Sequence, residues 1–282
     1  MDISKVVVQS FTDVLNNSKV LIPSIILFVI AAAIILIVAV LVLTSIGVSY
    51  LGLLSLIHNW STQQPVLPTL VGLLYTVLSL TGVLVVTTLL VSIFVNGMVV
   101  AMADQISRKQ PVDLNRAFNV AKAHYLSLFG AGMVVTVVML LILGGAVLAA
   151  VVIFSLTHLV TSILLTLLIA LVAIVLFVLA SIYFYQVSTV IILEDRSAID
   201  GIRRSFDIAT RNFWDILVLL LLVFVIGLAA GFIEGIFGLI PIVGFIIIII
   251  ADIFVSVWFA VIPVYFYRDV ISPVRQGRKR LK

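Results

Sequence analysis

Long apolar stretches alternate with short polar segments along the whole chain. A bilayer core about 30 Å thick needs roughly 20 helical residues to cross it, so each stretch is long enough for at least one membrane-spanning helix. The pattern therefore predicts an all-α integral membrane protein with six transmembrane helices. The six stretches are residues 20–57, 66–103, 125–156, 159–193, 212–237 and 242–267.

The first two stretches are nearly twice the length that a bilayer requires. We expect them either to tilt strongly or to leave the membrane in their outer parts. Thr44 to Gly47 in the first stretch, and Pro68 to Gly82 in the second, are the segments where a break is expected. The first hairpin is expected to project furthest from the membrane.

A short motif recurs before each of the three predicted hairpins. Residues 116–121 (RAFNVA) align with residues 204–209 (RSFDIA), and residues 9–14 (QSFTDV) are a weaker copy. Because a hairpin returns the chain to the side it left, the three units share one orientation. The sequence predicts three parallel repeats, each an interfacial amphipathic helix followed by a helical hairpin. Their bounds are 1–103, 104–193 and 194–267, and a basic tail covers 268–282.

The segments that carry the motif have the spacing of amphipathic helices. In the third, Ile199, Ile202 and Phe206 recur every three or four residues, and Ser197 with Asp200 has the form of a capping box. In the second, Pro111 is expected to open the helix. Such helices lie in the membrane interface, as simple elbows or as sites that dock headgroups or partners. The expected headgroup contacts are Arg116, Lys122, Arg203, Arg204 and Arg211.

Composition and charge agree with a membrane protein. The chain is 64% hydrophobic and 10% charged, whereas an ordinary soluble domain is about a quarter charged. All sixteen Lys and Arg residues fall between the apolar hairpins or at the chain ends. Basic residues near span ends stay cytoplasmic, so both termini are expected on the cytoplasmic side of the cell (plasma) membrane. The net charge of +4 suits an anionic inner leaflet and is not evidence for nucleic-acid binding.

The sequence offers little chemistry of the kinds that enzymes use. It has no cysteine, which excludes disulfides, thiolate catalysis and Cys-based metal sites. There is no phosphate-binding Gly-rich loop, no His-Glu-x-x-His motif and no Ser-His-Asp array at one membrane depth. His58 and His158 have no carboxylate partner in sequence, so a metal site is not expected. We expect a protein that is not an enzyme and that holds no cofactor.

Three polar residues lie within the apolar stretches and form a candidate intramembrane polar site. Asp252 lies well inside the sixth stretch, where a charge costs about 2.5–3.5 kcal/mol to insert. It is either a proton or cation site or an interhelical hydrogen-bonding group. Glu234 lies near the outer end of the fifth stretch and gains interest only if it meets Asp252. Asn96 is expected to hydrogen-bond between helices.

Two further patterns leave alternatives open. Gly227, Gly231 and Gly235 share one face of the fifth span, and small residues at this spacing allow close helix packing, within the chain or across a dimer. Asn59-Trp60-Ser61 matches the glycosylation acceptor pattern, although this short motif is common by chance.

The third unit resembles a known group of proteins. Its matching residues are Glu194, Ala198-Ile199, the run from Ile202 to Phe206, and Asn212-Phe213-Trp214, followed by the Gly238…Pro241…Gly244 turn. They resemble uncharacterised prokaryotic six-span membrane proteins related to the membrane domain attached to some glycerophosphodiester phosphodiesterases. The soluble catalytic barrel of those enzymes is absent here. The resemblance implies a fold and a lipid-adjacent setting, not phosphodiester hydrolysis.

The leading functional hypothesis is a non-enzymatic membrane protein that interacts with lipids or with partner membrane proteins, including a second copy of itself. The alternative is a small transporter or channel for protons, cations or a small solute, with Asp252 at its site. A polar cavity reaching Asp252 would favour transport, whereas a packed interior with lateral lipid grooves would favour the leading hypothesis.

Overall fold

The fold is taken from a computed structural model, which describes residues 3–58, 66–156, 159–241 and 243–271. Asn59 with its glycosylation motif, His158 and the tail beyond Ile271 lie outside the described residues. Within the described ranges the chain forms α-helices joined by turns, and six of the helical segments are long and apolar enough to cross a membrane. The predicted six-span all-α architecture is therefore confirmed.

The helices are α1 (Ile3–Asn16), α2 (Ile22–His58), α3 (Val66–Ser107), α4 (Leu114–Leu156), α5 (Leu159–Phe184), α6 (Val187–Glu194), α7 (Ala198–Arg211), α8 (Phe213–Phe237) and α9 (Val243–Phe266). A 3₁₀ turn, Ser18–Leu21, precedes α2, and a π-helical turn, Tyr267–Ile271, follows α9.

The expected breaks in the first two stretches are wrong. Both α2 and α3 run without interruption through the segments where breaks were expected. The hydroxyl group of Thr44 donates to the Leu41 carbonyl at 2.9 Å, so this polar side chain is satisfied by its own helix and needs no break. The break that does occur lies in the fourth stretch, at Tyr185-Gln186, between α5 and α6.

The helix starts follow local capping chemistry. Ser197 caps α7 as predicted, since its hydroxyl oxygen accepts from the Asp200 backbone N–H. Pro111 does not open α4, which begins three residues later. Instead, the Asp113 carboxylate accepts hydrogen bonds from the backbone N–H groups of Asn115 and Arg116, at 2.9 and 3.3 Å. It thereby caps the start of α4.

The chain divides into two compact units, residues 24–92 and the remainder. In the smaller unit, which contains most of α2 and of α3, no residue whose side chain is described is buried. Exposed apolar side chains of this kind require lipid as their solvent. Whether this hairpin projects furthest from the membrane stays a prediction.

The larger unit has its core at its charged end. Met102 of α3, Ile191 of α6 and Phe266 of α9 are fully buried there. Toward the other end of α4 and α5, large side chains such as Leu148 and Leu164 are more than 60% exposed. Protein packing therefore stabilises the charged half, while the other half presents its apolar side chains to the membrane.

The motif phenylalanine makes the same contact in all three units. Each one packs edge-on against an aromatic ring on the second helix of a different hairpin, and the centroid distances span only 4.9–5.3 Å. Each partner ring lies ten residues before a charged residue at the charged end of the larger unit. The pairs are Phe11 with Trp258, Phe118 with Phe94, and Phe206 with Phe184, and the charged residues are Arg268, Asp104 and Glu194.

A second contact recurs six residues after each motif phenylalanine. A side-chain nitrogen there lies within hydrogen-bonding distance of the backbone carbonyl four residues earlier. The residues are Asn17, His124 and Asn212, at 2.9, 2.9 and 3.0 Å from their acceptors. One difference is that the second amphipathic segment is continuous with α4, whereas α1 and α7 are separate helices. A rotation that superposes the units stays a prediction.

Candidate functional site

The segment that carries the family-like motif forms a buried ionic cluster around Glu194. The Glu194 side chain is only 4% exposed and pairs with Arg196 at 3.1 Å and with Arg204 at 3.3 Å. The Tyr267 hydroxyl donates to the same carboxylate at 2.5 Å. A buried carboxylate needs such partners to offset its lost hydration. The cluster therefore joins α6, α7 and the end of α9.

Close packing of α7 on α6 explains the rest of this motif. A Cβ atom at Gly201 would lie 2.5 Å from the Ile191 Cγ1 atom, so this position requires glycine. One turn later, the buried Ser205 hydroxyl donates to the Tyr183 carbonyl at 2.6 Å. That carbonyl lies next to the break at Tyr185-Gln186, so α7 supplies a partner where the helix is interrupted.

A second ion pair connects distant parts of the chain at the same end of the larger unit. The Arg268 guanidinium binds the Asp104 carboxylate, with Nε at 2.9 Å, and Arg108 pairs with the same carboxylate at 3.0 Å. The Tyr265 hydroxyl donates to Asp13 at 2.6 Å. The charged segments that precede and follow the hairpins therefore meet at one end, as a shared membrane side requires.

The predicted headgroup contacts divide into two groups. Arg204 and Arg211 both pair with Asp207, at 2.5 and 2.9 Å, and Arg204 also pairs with Glu194. By contrast, Lys122 and Arg203 are exposed and form no ion pair with a described residue. Arg116 is also exposed, and its guanidinium makes a long contact, 3.4 Å, to Gln110.

The exposed basic residues stand beside exposed apolar ones. On α4, Lys122 lies one turn from Phe118 and one turn from Leu126, which are 47% and 80% exposed. On α7, Arg203 lies one turn from Ile199, which is 65% exposed, and Trp214 follows at 74%. The predicted apolar stripe of α7 is therefore divided, because Ile199 faces outward whereas Ile202 packs against the buried Leu128 and Ile191.

Glu234 and Asp252 meet across the α8–α9 hairpin. Two contacts fix its register, namely Gly238 against Ile248 and Gly227 against Phe259, both at 3.8 Å from the Cβ position. Asp252 lies four residues after Ile248, opposite the position four residues before Gly238, which is Glu234. The two carboxyl groups therefore lie at one level of the hairpin and interact with each other.

The carboxyl pair lies toward the end of the hairpin. Glu234 is 21 residues from the start of α8, about 32 Å at 1.5 Å per residue, and one turn from its end. The pair therefore lies near the boundary of a bilayer core of about 30 Å. The position of Asp252 within the sixth stretch alone indicates a deeper level. Asp252 is exposed and Glu234 half-buried, so the pair faces outward from the helices.

The other predicted site residues are Asn96 and the three glycines of α8. The Asn96 side-chain amide donates to the Ser188 hydroxyl at 3.5 Å, a long contact between α3 and α6. Asn96 is not near the carboxyl pair in sequence, and nothing described joins it to them. Gly227 faces Phe259, whereas a Cβ atom at Gly231 or Gly235 would have no neighbouring described atom within 4 Å. The dimer alternative for these glycines stays a prediction.

Sequence reasoning missed a buried glutamine at the break between α5 and α6. Gln186 is 1% exposed, and its Nε2 atom donates to the Pro263 carbonyl of α9 at 3.3 Å. Its Oε1 atom is buried with no partner among the described residues. The signal was present in the sequence, since Gln186 is a strongly polar residue within an apolar run.

Sequence reasoning also missed a cleft between α4 and α5. The cleft has a volume of about 560 Å³, and its lining side chains are all apolar. Small residues create the space, with Gly145, Ala146 and Ala149 on α4 facing Ala173 on α5. The cleft contains neither Asp252 nor Glu234. Among the described residues there is also no group of three or more His, Asp or Glu side chains arranged to hold a metal ion.

A comparison with protein families gives one match, to the family described as "Domain of unknown function (DUF7847)", over residues 6–270. The chain belongs to this family. The match covers all six spans and the three motif segments, so the family is defined over the whole membrane domain. No curated protein and no solved structure is similar to the chain at a significant level. The resemblance to the membrane domain of the phosphodiesterases is not part of this match.

Proposed function

We propose that the protein is a non-enzymatic component of the cell membrane that acts in direct contact with lipids and selects anionic headgroups at its charged end. The observation that carries the proposal is the pairing of exposed cations with exposed large apolar side chains on α4 and α7. Lys122 stands beside Leu126, and Arg203 beside Ile199. An amphipathic surface of this kind buries its apolar groups at the acyl boundary and holds its cations at headgroup level.

The electrostatic part of this proposal has a definite size. Each Lys or Arg near an anionic leaflet contributes about 1 kcal/mol, which corresponds to roughly fivefold in binding. Arg204 and Arg211 are both paired with Asp207 and should contribute less. We therefore assign headgroup contact to Lys122, Arg203 and Arg116, with both chain termini on the cytoplasmic side. The lipid-adjacent setting implied by the phosphodiesterase resemblance belongs to the same proposal.

Two features support a role without catalysis. Three acidic residues at the charged end are paired with arginines of the same chain, namely Asp104, Glu194 and Asp207. A carboxylate held in this way stabilises the fold and has little freedom to act as an acid or base on a substrate. The apolar cleft offers no polar side chain that could orient a reacting group.

The test is lipid selection by the reconstituted protein. In vesicles of phosphatidylcholine with a minor fraction of phosphatidylglycerol, the lipid that remains with the solubilised protein should be enriched in phosphatidylglycerol. The double variant Lys122→Gln and Arg203→Gln should lose most of this enrichment, and the charge-preserving control Lys122→Arg and Arg203→Lys should keep it. Equal enrichment in all three proteins would contradict the proposal.

Transport is the second candidate, and the meeting of Glu234 with Asp252 favours it. Two carboxyl groups at one level of a hairpin can share a proton or hold a cation. Against this candidate, the pair faces outward and the cleft between α4 and α5 is apolar throughout. Proton flux into proteoliposomes, reported by a pH-sensitive dye, distinguishes the candidates, with Asp252→Asn as the comparison. A proton flux that depends on Asp252 would favour transport.

Interaction with a partner membrane protein or a second copy is a variant of the leading proposal. The exposed rings and chains at Trp214 and Leu126 could contact protein instead of lipid. Crosslinking in native membranes separates these outcomes, since a partner would give a discrete product whose yield falls on Trp214→Ala and does not depend on the anionic lipid content.

A further inference from the structure

The cleft between α4 and α5 has the form of a slot within a membrane hairpin. Its lining extends from Val138 to Ala149 on α4, which is about 16 Å at 1.5 Å per residue. The two helices also contact each other toward the charged end, where Leu128 of α4 belongs to the same buried cluster as Ile191 of α6, the continuation of α5. The cleft is therefore bounded by helix on both sides along its length.

The width of the slot decides what can occupy it. A volume of about 560 Å³ spread over about 16 Å gives a mean cross-section of about 35 Å². An α-helix with its side chains is about 10 Å across, which corresponds to a cross-section of about 80 Å². A helix from a second copy or from a partner would enter the slot only in part, whereas a single unbranched hydrocarbon chain fits along its length.

The lining decides the chemistry of the occupant. All the lining side chains are apolar, so the slot offers no partner to a headgroup, an ester or an ion. The volume lies within the range of about 300–1,000 Å³ that is typical of small-molecule sites. If the slot were empty, its lining side chains would lose dispersion contacts. A hydrocarbon chain from the surrounding membrane restores these contacts.

We propose that the α4–α5 cleft binds one acyl chain of a membrane phospholipid, whose headgroup stays outside the cleft. On α4, which runs without a break, Val138 is the lining residue nearest the charged end and lies 16 residues after Lys122, about 24 Å along the helix. That distance is most of the thickness of a bilayer core, about 30 Å. The chain therefore comes from a phospholipid of the leaflet opposite the charged end. This site is separate from the headgroup contacts at Lys122 and Arg203 and does not depend on them.

The chain provides two pairs of matched variants. Gly145 and Ala149 line the cleft, and their neighbours Gly144 and Ala150 do not. A Cβ atom at Gly144 or at Gly145 would meet no described atom within 4 Å, so the first atom of a new side chain is accommodated equally at both positions. Gly145→Leu and Ala149→Leu fill the slot, while Gly144→Leu and Ala150→Leu add the same volume outside it.

The experiment is native mass spectrometry of the full chain after reconstitution in phosphatidylcholine vesicles and extraction in a mild detergent. We expect the wild type, Gly144→Leu and Ala150→Leu to retain one phosphatidylcholine per chain. Gly145→Leu and Ala149→Leu should retain it about tenfold less, with helical circular dichroism unchanged. The proposal would be overturned by equal retention in all five proteins. It would also be overturned if the cleft-filling variants changed the oligomeric state while retention stayed constant, since the slot would then seat a second copy.

Discussion

Glu234 and Asp252 lie at the same level of the α8–α9 hairpin, and their side chains interact. They are eighteen positions apart in the chain, and only the register set by Gly238 with Ile248 and by Gly227 with Phe259 makes them neighbours. Each carboxyl group therefore has the other as a partner within a hairpin whose two helices contain no basic residue. Substitution can show whether the pair is structural or acts in transport.

The first prediction concerns this pair. If its role is structural, Asp252→Asn should leave thermal stability unchanged, because the amide can donate to Glu234. Asp252→Leu should lower the free energy of unfolding by about 1 kcal/mol or less, because it removes the polar partner of Glu234 at an exposed site. Thermal unfolding in detergent measures both. Unchanged stability of Asp252→Asn together with loss of a proton flux would show that the pair acts in transport.

The second prediction concerns the packing of α7 on α6. Gly201→Ala should destabilise the protein by about 1–3 kcal/mol, because the new methyl group would collide with Ile191 in a packed region. Gly231→Ala is the matched control, since a Cβ atom there has no neighbouring described atom within 4 Å. The control should be neutral or slightly stabilising, because alanine favours a helix over glycine. Equal effects of the two substitutions on thermal unfolding would contradict the close contact.

The third prediction concerns the buried ionic cluster. Glu194→Gln should lower the free energy of unfolding by about 1–3 kcal/mol, because Arg196 loses its carboxylate and Arg204 keeps only Asp207. Asp195→Asn is the control at the adjacent position, where the side chain is 93% exposed and pairs with His124. It should change stability little. A Glu194→Gln protein as stable as the control would mean that the cluster is not a stabilising element.

The fourth prediction concerns topology, and it uses the absence of native cysteine. Single cysteines at Leu239, in the α8–α9 turn, and at Lys109, between α3 and α4, should lie on opposite sides of the membrane. Leu239 is 82% exposed and Lys109 is exposed, so both thiols would be free to react. An impermeant maleimide should label Leu239→Cys in intact cells and Lys109→Cys only after permeabilisation. Labelling of Lys109→Cys from outside would invert the proposed orientation.

Local patterns were enough to predict the six spans and the α7 cap. Hydropathy defines the spans because lipid exposure demands apolar side chains on every face, and Ser197 with Asp200 is a local signal. The breaks that were expected at Ser45 and near Pro68 do not occur. A hydroxyl group within a membrane helix, or a proline near its start, is compatible with a continuous helix. The actual break at Gln186 depends on Pro263 and Ser205, which are distant in sequence.

The candidate sites were less accessible to sequence reasoning. The carboxyls of Glu234 and Asp252 were each identified, but their meeting depends on a hairpin register that no local pattern gives. Arg204 was grouped with Arg203 as a headgroup contact, although one faces Glu194 and the other faces outward. Neighbouring arginines on a helix differ by about 100° in direction, and only the packing of α7 decides which of them is free.

The central claim is that exposed cations at the charged end hold anionic lipids, and its most direct test is the salt dependence of lipid selection by the wild-type protein. Electrostatic attraction at an exposed surface weakens as the Debye length falls from about 10 Å at 0.1 M to about 3 Å at 1 M ionic strength. The account predicts that the enrichment of phosphatidylglycerol around the reconstituted protein decreases several-fold over this range. An enrichment that is absent at low salt, or equal at both ionic strengths, would contradict it.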